Sequence, residues 1–143
     1  MCGKCEHWGQ LLLRFAIGPI FIAHGYEKIF LDGHMKISLF LANLGIPLPG
    51  ISAWLLMLTE FVGGIFLLLG LLTRWASIPI AFAMLVAILT AHSPWQHSLI
   101  GQGGFEKPLA LMAIALCLMV QGGGKFSVDA WLRKKKQTPA PSA

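Results

Sequence analysis

The sequence predicts an all-α integral membrane protein: a bundle of four transmembrane helices, with a short amphipathic helix lying at the interface between the first and second spans. Three observations carry this. Hydrophobic residues make up 56% of the 143-residue chain and charged residues only 12%, with a mean hydropathy of +0.71. A soluble domain carries about 25% charged residues to clothe its surface. The apolar residues fall into four runs close to the roughly 20 residues that cross a bilayer, and four of the eleven basic residues, Arg133, Lys134, Lys135 and Lys136, form one run just beyond the last of them.

The first span covers residues 11–31, with Trp8 at its start as an interfacial anchor. At 100° per residue Arg14, Gly18, Phe21, Gly25 and Lys28 share one face, which should point into the bundle. Residues 34–44 place Ile37, Phe40, Leu41 and Leu44 on one stripe. That segment is amphipathic and too short to span, so it is expected to lie on the outer interface. Two prolines, Pro47 and Pro49, end it.

The second span, 51–72, has one ionisable residue, Glu60. The turn at Thr73-Arg74 is short enough to force an antiparallel third span, 75–92. There Ala83, Ala87 and Ala91 form a small-residue row suited to close helix approach. A polar loop, 93–104, precedes the fourth span, 105–121, where Pro108 suits a first-turn position. Gly122-Gly123-Gly124 closes it, and a short interfacial helix through Trp131 follows.

The chain therefore reads as one membrane domain over residues 1–132 and a disordered basic tail over 133–143. With both termini in the cytoplasm, that side holds Lys4, Arg74, Lys125 and the run 133–136, against Lys28, Lys36 and Lys107 outside. This satisfies the positive-inside rule, and it assigns the excess of positive charge to the membrane rather than to nucleic acid. Cys117, in an apolar run, reads as a small buried hydrophobe. Cys2 and Cys5 form a CxxC with no second cysteine pair nearby. An accidental pair in a terminal tail is the plainer reading, beside redox or zinc chemistry.

Ionisable groups within a bilayer each need a partner or a function. Glu60 is expected to pair with Arg14 and lock the first two spans together, although the two differ in depth by ~9 Å at 1.5 Å per residue. Alternatively Glu60 is a protonatable carboxylate beside a buried ligand. His24, His92 and Glu106 should come to the same outer level and converge, with Glu60, on one polar pocket lined by Phe21 and Gly25. Ordinary helix-end polar residues facing water is the competing reading. No HxxxH or ExxH spacing supports a metal site.

In order along the chain, Arg14-x-x-x-Gly18, Phe21, His24-Gly25 and Lys28, then Glu60, Gly63-Gly64, Gly70 and Thr73-Arg74, then His92, Gly103-Gly104-x-Glu106 and Phe126-Ser127-Val128-Asp129 resemble the pattern of the DoxX family of small bacterial inner-membrane proteins. The resemblance covers nearly all of residues 8–132. It implies a four-helix fold in the bacterial inner membrane. It also implies an association with quinone-linked oxidation of reduced sulfur or with membrane-attached redox complexes.

The expected function is an accessory membrane subunit of a redox system, binding a quinone or other lipid-soluble carrier near Glu60, His24 and His92. Histidine and glutamate at that depth supply a hydrogen-bond donor and a proton acceptor. No nucleotide, iron–sulfur or haem motif is present, so electrons must come from a protein partner. The alternative is a non-catalytic anchor or assembly protein, acting with a partner or as a homo-oligomer. Transport needs a path that four helices hardly provide. No pattern assigns a catalytic residue.

Overall fold

The computed structural model describes backbone over residues 3–91 and 104–137, and side chains over 8–91 and 104–134. Those residues form helices joined by short turns and include no strand. Helix α1 (Gly3–Tyr26) passes into a π-helical turn, Glu27–Asp32, and then into α2 (Gly33–Asn43). Helices α3 (Pro49–Leu69), α4 (Thr73–Leu89), α5 (Glu106–Gln121) and α6 (Val128–Gln137) follow. Among the described helices, α3 is long and apolar enough to cross a membrane, and α4 is apolar but shorter.

The closest seam joins α1 to α3 through glycine. A Cβ added at Gly25 would stand 2.5 Å from the Phe61 backbone nitrogen, and one at Gly18 would meet the Leu68 Cβ at 2.9 Å. From the other side, a Cβ on Gly64 would come within 2.8 Å of the Ile22 nitrogen. The two numbers of each pair have the same total, which is the signature of antiparallel helices in fixed register. Small residues let backbones approach where lipid supplies no hydrophobic drive between helices, so packing itself is the attraction. Ala83, Ala87 and Ala91 were the expected close-approach row, but they are only half-buried. The row that approaches most closely is glycine, on the neighbouring helix pair.

A common core of Ile17, Phe21, Leu67, Ile80, Met84 and Leu118 joins α1, α3, α4 and α5. A second cluster seats Ile37 and Leu41 of α2 on Ala53 and Met57 of α3. Outside these, Leu12, Phe15, Leu55, Phe82 and Val120 each leave more than half of their surface uncovered. Exposed apolar surface of this extent marks contact with a membrane or partner.

Several boundaries differ from expectation. The first hydrophobic run is interrupted by the π turn, where the Gly33 N–H donates to the Lys28 carbonyl five residues back. Gly33 ends it at φ +77, a conformation glycine reaches without Cβ strain. The basic run also begins on helix rather than in a tail from residue 133, because α6 continues through Gln137. Ser127 supports its start, accepting at Oγ from the Ala130 N–H at 3.2 Å, the usual N-cap bond. Cys117 is exposed on the outer surface of α5 instead of buried; its neighbours in the sequence, Ala115 and Leu118, take the core positions.

Candidate functional site

Two polar centres lie within the helical assembly. In the first, the Arg14 side chain is 2% exposed and its guanidinium meets only backbone carbonyls. Nε donates to Leu67 O at 2.9 Å and Nη2 to Leu68 O at 2.7 Å. Nη1 donates to Gly123 O at 3.0 Å and Phe126 O at 2.8 Å. The first two acceptors belong to the last turn of α3, where carbonyls lose their i+4 partners; Leu67 O also accepts from the Gly70 N–H at 3.1 Å. The other two belong to the α5–α6 connection, so Arg14 ties α1 to both. Gly70, φ +70, passes so close that a Cβ there would sit 2.5 Å from the Arg14 Cζ.

Asp129 completes this clamp from the opposite direction. Its carboxylate accepts from the Leu72 and Thr73 N–H groups at 2.8 and 3.2 Å, while its own N–H donates to Gly70 O at 3.1 Å. It thereby caps α4, which has no capping side chain of its own at Leu72. The Thr73-Arg74 and Ser127-x-Asp129 sequences are thus two halves of one joint.

The second centre is an ion pair. Lys28 Nζ stands 2.5 and 2.6 Å from the two Glu60 carboxylate oxygens. The side chains are 24% and 4% exposed respectively, so the carboxylate is enclosed while the ammonium keeps an edge open to its surroundings. Lys28 lies in the π turn, and such turns recur at functional sites.

The expected Arg14–Glu60 pair is therefore corrected. The α1–α3 register that sets Gly25 on Phe61 and Gly18 on Leu68 brings Lys28, not Arg14, to the level of Glu60. Arg14 instead reaches the end of α3 and finds carbonyls.

The remaining expected pocket residues do not all converge. His24 is exposed, on the outward side of α1. Phe21 is 1% exposed and packed in the core, and Gly25 is pressed onto α3, so both close the helix seam. Glu106 begins α5, where a carboxylate suits the helix N-terminus; its Oε2 is buried and has no hydrogen-bond partner. Among the described residues Glu106 joins no salt bridge. His92, Gly103 and Cys2 lie outside the described residues. No group of three or more metal-ligating side chains occurs among the described residues.

One polar centre escaped sequence reasoning. His34 Nε2 stands 2.8 Å from Gly50 O and its ring stacks on Trp54 with centroids 5.1 Å apart. Close by in the chain, Lys36 pairs with Asp32 at 2.5 Å, and that bond raises the Lys36 pKa. The His34 contacts fix α2 to the start of α3. The signal available was the Asp32/Lys36 spacing of four residues, a favourable helical pair.

Pairing at Lys28 makes a direct prediction. Glu60→Gln should destabilise the detergent-solubilised protein by about 2 kcal/mol, below the usual cost of breaking a fully buried pair because Lys28 is partly exposed. Adding Lys28→Met should recover at least about 1 kcal/mol in a double-mutant cycle. Arg14→Gln should instead be additive with Glu60→Gln. Additivity of the Lys28 and Glu60 changes would reject the pair as an energetic unit.

Comparison with known proteins gives the chain's sequence relatives. The DoxX family model matches residues 9–93. Over 132 residues the chain is 31% identical to "Inner membrane protein YqjF" of Escherichia coli (strain K12), covering 92% of this chain and 98% of that protein. It is 31% identical over 136 residues to "Putative oxidoreductase CatD" of Bacillus subtilis (strain 168), covering 94% and 95%. It is 28% identical over 124 residues to "Inner membrane protein YphA" of Escherichia coli (strain K12), covering 83% and 86%. No solved structure matches.

Proposed function

The chain belongs to the DoxX family of membrane proteins, and from that premise we propose that it is an accessory membrane subunit of a redox system, handling a quinone or similar lipid-soluble carrier beside Lys28 and Glu60. The observation that carries this reading is the enclosed Glu60 carboxylate held by an ammonium that remains partly exposed. Keeping an ion pair within a membrane is costly unless it is used or fully satisfied. Lys28 would donate a hydrogen bond to a carrier oxygen, and Glu60 would accept or return the proton. His24, four positions earlier and exposed, would pass the second proton of the conversion to or from water at the membrane surface. Glu106, whose buried Oε2 has no hydrogen-bond partner, would complete the proposed pocket together with His92, which lies outside the described residues. The two electrons of quinone–quinol conversion would pass to or from a protein partner. The name of the Bacillus relative supports a redox setting.

The architecture within this proposal is four spans, α1, α3, α4 and α5, with both termini in the cytoplasm. Reporter fusions at residue 143 and at Arg74 should then read cytoplasmic, and one near Gln102 periplasmic. A periplasmic C-terminus would overturn both the orientation and the number of spans.

A second reading, a non-catalytic anchor or assembly protein, is favoured by the Arg14–Asp129 joint, whose charged groups bind backbone rather than any ligand. Purification in mild detergent from native membranes separates the two. Mass spectrometry should find a redox protein, and organic extraction a quinone, both reduced in yield by Glu60→Gln. Recovery of a soluble partner with neither would replace the redox reading with the anchor.

A further inference from the structure

The end of the bundle closed by Arg14 carries three exposed tryptophans. Trp8, Trp75 and Trp131 are 58%, 72% and 62% exposed, and Trp8 packs on Phe126 with ring centroids 5.4 Å apart. Trp75 lies just inside α4, and Trp131 follows Asp129 by two residues, so all three adjoin the joint. Tryptophan gathers at headgroup depth, where one edge of the ring is wet and the body is apolar. This end of the bundle therefore meets the headgroup layer.

Beside Trp75 the surface is hollowed into a groove of about 410 Å³, bordered by Arg74, Gln121, Leu72, Leu132 and Arg133. Asp129 is the one acid lining it, and its carboxylate is already engaged by the Leu72 and Thr73 N–H groups. Two arginines against one engaged carboxylate leave the lining with a net positive charge. Arg133 is steadied there by its Nε donating to Asp129 O at 3.2 Å. Guanidinium groups match phosphate geometry.

The groove is also apolar along one side. Leu72 and Trp75 continue into Ile78, Phe82, Leu85 and Leu89, all exposed along the outer face of α4. A ligand that complements both parts has an anionic, oxygen-rich head and a long hydrocarbon body. A small soluble anion would leave the apolar flank unused.

The geometry points to a binding site for one anionic phospholipid, its phosphate between Arg74 and Arg133 and an acyl chain lying along the exposed face of α4. Lys134, Lys135 and Lys136 follow in the chain and add to the attraction for an anionic leaflet, in which each basic residue near the surface contributes appreciably. The site uses neither Lys28 nor Glu60, so it stands apart from the redox reading.

The test uses the full chain, purified in detergent and stripped of lipid. Phosphatidylglycerol and phosphatidylcholine with identical acyl chains are added back, with inorganic phosphate as a third arm. Native mass spectrometry should retain a single phosphatidylglycerol, and thermal unfolding should shift upward more with it than with phosphatidylcholine. Arg133→Gln, on exposed α6, should weaken phosphatidylglycerol binding about fivefold, with Arg133→Lys losing less; Arg74→Gln should act in the same direction. Equal retention of the two lipids, or an unchanged affinity in Arg133→Gln, would overturn the site. Full reproduction of the thermal shift by inorganic phosphate would overturn the lipid assignment. Absence of a quinone from native extracts would leave these outcomes untouched.

Discussion

Arg14→Gln is expected to lower the stability of the detergent-solubilised protein by at least about 4 kcal/mol. Four hydrogen bonds from a charged donor disappear, each worth about 1.5–3 kcal/mol where the group is charged, though not additively. Glutamine is shorter and offers two donors, so the carbonyls of Leu68, Gly123 and Phe126 would lose the guanidinium donor and Leu67 O would keep only the Gly70 N–H. Arg14→Lys should also fail to restore the fold, at a cost of about 2–3 kcal/mol, because a point ammonium cannot reproduce a planar fork. Equilibrium unfolding in mixed micelles measures both. A loss below about 1 kcal/mol for Arg14→Gln would show that the joint holds without its cation. Because Glu60 is held by Lys28, neither substitution should disturb the second centre.

Gly25→Ala is expected to cost about 3 kcal/mol, near the upper end for overpacking. The obstruction is the Phe61 backbone at 2.5 Å and its Cα at 2.7 Å, which cannot rotate away as a side-chain tip can. The helices must separate, loosening Gly18 and Gly64 along the same seam and shifting Lys28 away from Glu60. Gly9→Ala provides the control within the same helix. A Cβ at Gly9 meets nothing within 4 Å, so the better helix propensity of alanine should leave stability unchanged or raised by up to about 1 kcal/mol. Equal effects at the two positions would reject the close α1–α3 seam.

The positions of most helices were legible because hydrophobic runs and glycine or proline breaks set them directly. Pro49 opens α3 and Gly70 ends it, within a few residues of the expected limits. The face shared by Arg14, Gly18, Phe21, Gly25 and Lys28 was also legible, since one angular period describes it. What that face would touch was not. Pairing depends on helix register, and register here comes from three glycine contacts that no single-helix pattern contains. The need to pair opposite charges suggested Arg14 for Glu60 despite their ~9 Å difference in depth; the register selects Lys28. The Ser127-x-Asp129 motif was visible as a pattern, but its role required knowing that α6 returns to the α3–α4 turn.

That return has a consequence for how the chain is made. Two of the four acceptors on which Arg14 closes come from Gly123 and Phe126, 109 and 112 residues later. A ribosome delivers the first span long before it delivers these carbonyls, and synthesis proceeds at a finite rate. Throughout insertion the nascent protein must therefore carry an arginine in its first helix with an incomplete set of partners. The connection between α5 and α6, made long after the first helix, is what completes that helix's packing, and a chain ending before Phe126 would present quality-control proteases with an unsealed end.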